Sequence, residues 1–392
     1  MMVRLTLRCC LFAALFFAAV NATAQEGTVQ ARVFYYNRGQ KKEAREDVRI
    51  KDETPREIII ERSTRTDKIP AADVLDVVYR IPADLNLDIR AKASSAEDNA
   101  LKETDPTKRL KLNEAALAGY RDLLGKLDKR EEYARAYLHT EFKIAALLAR
   151  LAEDDKTRLD EAIKELTKFK TEHSKSWQLG MVGKLLVRAE IAKGDMKSAL
   201  ATIEEFAHRD SLADEVRQEY ELLGIRALLR SDNFTDAERS DNFTDAERRL
   251  TALAKSVSKD DPQAARVEIY LAECKAKSDL PESEKRLQAV IRSGAAPVIK
   301  ALAYNTLGDC YRLNDQLENA FWQYLWVDQE YPQDREEHAK ALYYLSILFE
   351  KVKKSPARAE ACRTRLLTDK LFTGLEYQKL AAREHLKKSD SK

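Results

Sequence analysis

Small residues at nearly constant intervals constrain this chain more than any other feature. Ala162 and Ala199 are 37 residues apart, Ala199 and Ala237 38, Ala246 and Ser283 37, Ser283 and Ala320 37, and Ala320 and Ala359 39. Apolar residues at helical spacing surround each, and each opens the second of two amphipathic segments. A unit of that length holds two antiparallel helices and cannot bury its apolar face alone, so such units must stack into a solenoid. With charged residues at 34% and only 11 Gly and 9 Pro in 392 residues, the composition suits long, exposed amphipathic helices and excludes a disordered or loop-rich chain.

The clearest unit runs from Tyr304 to Pro332, with Tyr304, Leu307, Gly308 and Tyr311 on its first helix, Ala320, Tyr324 and Val327 on its second, and Pro332 as the stop. At all eight positions it resembles the tetratricopeptide repeat (TPR) family. Gly308 and Ala320 are small where the helices cross closely, and the larger residues fill the space on either side. Looser units share the chemistry: Val182, Leu185, Leu186 and Ala189; Tyr220, Leu223, Gly224 and Ala227; Val267, Tyr270, Leu271 and Cys274, followed by Leu287 and Val290. A divergent first pair ends with Ala116, Tyr120 and Leu123. The fold class expected is mainly α, a TPR-like α-solenoid of about six or seven hairpins. Its helices begin near Pro106, Pro262, Pro281 and Pro356.

Nine residues break the ladder. Ser231–Arg239 recurs unchanged as Ser240–Arg248. At 100° per residue, nine extra residues inside a continuous helix would turn everything downstream by two and a half turns. An uninterrupted helix is therefore not expected. Ala246, Leu250 and Leu253 follow the second copy at helical spacing, whereas Asp241 stands where the first copy needs an apolar residue. The second copy is expected to start the inner helix and the first to protrude as a loop or stray turn.

The N-terminus has a basic start at Arg4 and Arg8, the apolar run CLFAALFFAAV and the small residues Ala22-Thr23-Ala24, the pattern of a secretory signal peptide. Cys9 and Cys10 stand at the front of the apolar run, whereas a lipid-carrying cysteine would follow it. Cleavage after Ala24 would remove two arginines and no acids, leaving 66 basic and 66 acidic residues. Such a balance offers no attraction for nucleic acid or anionic lipid, and no stable membrane insertion is expected after cleavage. Residues 25 to about 92 read as a small β-domain of three to five strands, with segments at Arg32–Tyr36, Glu46–Ile50, Glu57–Ser63 and Asp73–Arg80. Its outline resembles small SH3-like or Sm-like barrels. The layout expected is thus a signal peptide at 1–24, a β-domain at 25–92, the repeat array at 93–374 and a cap helix with tail at 375–392.

Enzymatic signatures are missing: no phosphate loop, no G-x-S-x-G, no H-E-x-x-H and no C-x-x-C. His139, His173, His208, His338 and His385 are scattered in charged helical contexts and read as solvated positions. Cys274, Cys310 and Cys362 remain after cleavage, an odd number that reads as free thiols packed in helices. Catalytic, cofactor and metal residues are accordingly not assigned. Asn233 and Asn242 stand in N-x-T sequons, which matter only in a glycosylating host.

What remains is a surface. The TPR resemblance implies a partner on the concave face of the first helices, and it maps outward-facing positions onto Asn305, Asp309 and Arg312, with Lys184 and Arg188 at comparable places earlier. Tyr324 belongs to the core pattern; Trp322 and Trp326 read as core or inter-repeat packing, with one of the two turned outward. The function expected is a non-catalytic, exported adaptor, periplasmic or extracellular, that needs no cofactor and binds a protein partner. Self-association into a homo-oligomer and an unrecognised site in the β-domain are its rivals.

Overall fold

The structure, a computed structural model, describes residues 29–40, 42–62, 65–103, 105–127, 131–230, 236–258 and 262–389. The segment expected to be a signal peptide, the start of the first duplicated copy with Asn233, and the last three residues lie outside them. The chain divides into two compact units: residues up to Asp154 with Thr171–Leu179, and Asp155–Lys170 with Gly180 onward.

In the first unit, alternation of apolar and polar residues builds an antiparallel sheet from β1 (Val29–Asn37), β2 (Lys42–Glu53), β3 (Glu57–Arg62), β4 (Arg65–Pro70) and β5 (Val74–Tyr79), in the order β4-β3-β2-β1-β5. Val33, Ile50, Ile58, Ile60 and Val77 are fully buried on one face. On the other, Arg32 pairs with Asp47 at 2.8 Å across neighbouring strands, while Arg62 and Glu46, 2.8 Å apart, share the face of the buried residues and lie at its partly exposed end. The last strand returns to pair with the first, but β4 and β5 do not pair with each other, so the sheet stays open and the expected barrel is not formed. All four named strands are present, and the five strands of the sheet fall within the three to five expected. β4 is an addition, because a polar edge strand with one buried apolar residue, Ile69, carries little signal.

Helices follow at α1 (Ala83–Leu85), a π turn (Asn86–Arg90), α2 (Ala91–Lys102), α3 (Pro106–Leu127) and α4 (Ala134–Asp154). They are joined to the sheet by a buried ionic cluster. Asp76 of β5 accepts from His139 at 3.0 Å and from Lys143 at 3.1 Å, both on α4. Lys143 also donates to Glu97 of α2, which accepts from the Tyr120 hydroxyl of α3 at 3.0 Å. Burial pushes the Asp76 carboxyl up, but the His139 hydrogen bond and the His139 and Lys143 charges outweigh it and hold the group well below the usual carboxylate range. The sheet and its helices therefore share one compact unit, with no break at the expected boundary near residue 92.

The second unit continues with α5 (Leu159–Glu172, its last two residues in the first unit), α6 (Leu179–Lys193), α7 (Met196–Ala207), α8 (Asp214–Arg230), α9 (Asp236–Ser256), α10 (Pro262–Lys275), α11 (Leu280–Arg292), α12 (Pro297–Leu313), α13 (Leu317–Glu330), α14 (Arg335–Lys351), α15 (Pro356–Thr368) and α16 (Glu376–Ser389). The small-residue ladder is the buried seam of these pairs: Ala162, Ala199, Ala246, Ser283, Ala320 and Ala359 are all buried. Ser283 is tolerated there because its hydroxyl donates to the Ala272 carbonyl at 2.8 Å. One apolar core runs from Leu222 to Ala359, and α16 covers its end by packing Ala381 against α14 and α15.

The duplicated stretch corrects an expectation. α9 is continuous from Asp236 through the whole second copy, so the end of the first copy is helical rather than looped. Ala246, Leu250 and Leu253 are buried as expected. The extra turns lie upstream of these anchors, where lengthening a helix leaves the downstream face in place. The histidines are a second correction. His139 and His338 are buried beside Asp76 and Asp328, and only His208 is exposed among the four whose side chains are described.

Candidate functional site

The first helices of the second unit are α6, α8, α10, α12 and α14, and the sequence-derived candidates lie on α6 and α12. On α12, close approach to α13 comes first. A Cβ on Gly308 would fall 2.8 Å from Cζ of Tyr324, so only glycine lets the fully buried tyrosine lie flat against the helix. The Tyr324 hydroxyl then donates to Asp309 at 2.7 Å. Asp309 also accepts from Lys340 of α14, and Arg312 lies with its guanidinium carbon 4.7 Å from the Tyr344 ring centroid. Tyr344 stacks on Tyr324 with centroids 4.9 Å apart.

Asn305 is 0% exposed, and its amide donates to the Glu337 backbone carbonyl and carboxylate, each at 2.8 Å. Its expected outward placement is therefore corrected: α14 covers it. Asp309 and Arg312 are likewise drawn into the contact between successive repeats. From α8, Arg226 reaches Glu336 at the start of α14 at 3.2 Å.

On α6 the picture differs. Lys184 is partly exposed and donates to Glu219 of α8 at 2.5 Å; Arg188 is exposed, with no ion-pair partner among the described residues. Met181 and Ile191 flank them at 49% and 42% exposure. Positions 181, 184, 188 and 191 share one face of a helix, so α6 presents an unbroken outward stripe with apolar ends and a basic middle. Sequence reasoning found the two basic residues and missed the two apolar ones, whose signal was this same spacing.

The tryptophans are half exposed and still stacked. Trp322, 46% exposed, has the Lys353 ammonium 4.6 Å from its ring centroid, and Trp326, 49% exposed, stacks on Tyr304 at 6.3 Å. Both therefore face outward, where the sequence demanded that of one. A polar cleft of about 570 Å³ lies among α7, α8 and α9, where Arg249 holds Glu221 in a two-point ion pair at 2.6 and 2.7 Å. Its other charges pair as well, Arg248 with Asp245 at 2.5 Å. Burial pushes the Cys274 thiol up to about 12 and the Cys362 thiol up to about 11, and raises Cys310 also, so none is primed as a nucleophile. Among the described residues no helix is long and apolar enough to cross a membrane.

No protein-family model matches the chain, and no curated protein matches its sequence. Among solved structures it is similar to a tetratricopeptide repeat protein from Parabacteroides merdae, at 14% identity over 74% of this chain and 99% of that one, with a TM-score of 0.46. It is also similar to NprR in complex with its cognate peptide NprX, at 13% identity over 80% and 87% with a TM-score of 0.47, and to the apo quorum sensor NprR from B. thuringiensis, at 13% over 78% and 83% with a TM-score of 0.39. The chain's own helix pairs, closed along a buried ladder of small residues, make it a TPR-like helical repeat array preceded by a small antiparallel sheet.

Proposed function

We propose that this chain is an exported, non-catalytic scaffold of the cell envelope or secreted space that captures a protein partner on the first helices of its second unit. The observation that carries the reading is the α6 stripe of Met181, Lys184, Arg188 and Ile191. Helices whose neighbours already satisfy them do not leave two large apolar side chains and an unpaired arginine on one face, and such a face suits a partner segment with apolar anchors around an acidic centre. Export is supported by the basic start, apolar run and small-residue site of residues 1–24.

The test is crosslinked affinity capture from the native envelope, comparing the wild-type chain with the double variant Lys184→Glu/Arg188→Glu. A foreign protein crosslinked to α6 and lost from the variant supports the scaffold. Capture unchanged by the reversal sinks it, and crosslinks between copies of this chain alone point to self-association.

A further inference from the structure

Three potential metal ligands meet in the first unit, outside the surface described above. Glu141 lies on α4, Glu172 ends α5, and His173 follows directly. One ligand atom from each, two carboxylate oxygens and an imidazole nitrogen, fall within 4.8 Å of one another. His173 Nε2 is 2.8 Å from a Glu141 oxygen, and both side chains are largely shielded from solvent. Two carboxylates brought this close repel each other, and a cation shared between them relieves that repulsion.

The segments that carry these groups are held in place by other contacts. On α4, His139 and Phe142 flank Glu141 in sequence, and both rings pack against Trp177, with centroids 6.2 and 6.3 Å away. The Trp177 indole N–H donates to the Tyr79 hydroxyl at 3.1 Å, and the Gln178 amide lies 3.3 Å from His139 Nδ1. Within the turn itself, the Ser176 amide donates to the His173 carbonyl at 3.0 Å. Contacts other than the ligands' own thus also hold the ligand-bearing turn against α4, which is the preorganisation a metal site needs. The C-terminal end of α5 adds the negative pole of the helix dipole beside the cluster.

We propose that Glu141, Glu172 and His173 bind a divalent transition metal, zinc first, with water completing the coordination. Nitrogen and carboxylate donors select this class over calcium or magnesium, which take oxygen ligands in larger number. Two atoms sharing a zinc ion about 2.1 Å from each are at most about 4 Å apart, so ordinary side-chain rotation brings the three into range. Three protein ligands leave a position open.

Tag-free protein titrated with Zn²⁺ against a chromophoric chelator tests this, with Co²⁺ as a spectroscopic probe of nitrogen coordination. One equivalent is expected to bind, with Co²⁺ giving visible bands of a low-coordinate site, and His173→Ala is expected to weaken binding by about tenfold or more. Glu172→Gln changes an exposed side chain and leaves the fold intact, so it serves as a second variant and is expected to weaken binding as well. Absence of saturable Zn²⁺ binding, or binding as strong in both variants as in the wild type, overturns the proposal and leaves an ordinary His173–Glu141 ion pair.

Discussion

Tyr324 lies flat on Gly308, so close that any side chain at residue 308 would meet its ring. Gly308→Ala should therefore force the two helices apart and cost about 1–3 kcal/mol, the usual penalty for overpacking. The same is expected of Gly183→Ala, where the added carbon would fall 2.4 Å from Phe206 and 2.2 Å from the Tyr220 hydroxyl. Chemical unfolding followed by circular dichroism measures both; wild-type midpoints would show that the helices have room to spare.

Asp76 makes the first unit sensitive to acid. Its folded pKa is depressed below the unfolded value of about 3.9. The stabilisation is thus present above that pH and lost as pH falls toward the folded value. Asp76→Asn should lower stability at pH 7 and flatten the pH dependence below about pH 4. Lys143→Ala removes the cation that Asp76 and Glu97 share but leaves them His139 and Arg150, so it should cost about 1–3 kcal/mol. Denaturant midpoints across pH 2.5 to 7, set by roughly those pKa limits, decide both.

Charge reversals on first helices should separate into two kinds. Arg312→Glu removes a cation from the Tyr344 face and places a carboxylate near Asp309, so it should destabilise by about 2 kcal/mol or more. Lys184→Glu/Arg188→Glu breaks only a surface pair, at about 1 kcal/mol or less. Thermal melts of the two variants side by side test the division, and equal destabilisation would contradict it.

Deletion of residues 231–239 should leave the fold and its melting temperature nearly unchanged. The surviving copy still supplies Ala246, with Leu250 and Leu253 one and two turns on, and loop length costs only roughly 0.6 kcal/mol per doubling. A large drop in melting temperature would mean that the overhanging turns of α9 carry contacts of their own.

Much of the architecture was legible because it follows from periodicity. Alternation marked the strands around Val33 and Ile50, and the interval between small residues marked every helix crossing from Ala162 to Ala359. What stayed hidden depended on partners far away in sequence. Asp76, Glu97, His139 and Lys143 look like the charges of any solvated face until β5, α2 and α4 meet, burying Glu97 and His139 and partly shielding Asp76 and Lys143. Asn305 was misplaced for a related reason: a family position says which way a side chain leaves its own helix, and α14 of the next repeat decides whether water or Glu337 meets it. Gly183 was passed over because its neighbours, Phe206 and Tyr220, come from the two following helices. The Glu141–Glu172–His173 cluster joins α4 to the end of α5, a convergence that no local spacing encodes.

The uninterrupted course of α9 bears on how such arrays change over generations. Each helix pair is indexed by its own anchoring residues rather than by a count kept from the N-terminus, so an error in length stays where it arose and is not passed down the line. A chain built this way can acquire a slip of nine residues, carry it as surplus lead-in, and keep every later repeat in frame, which makes the overhang raw material on which selection can write a new surface.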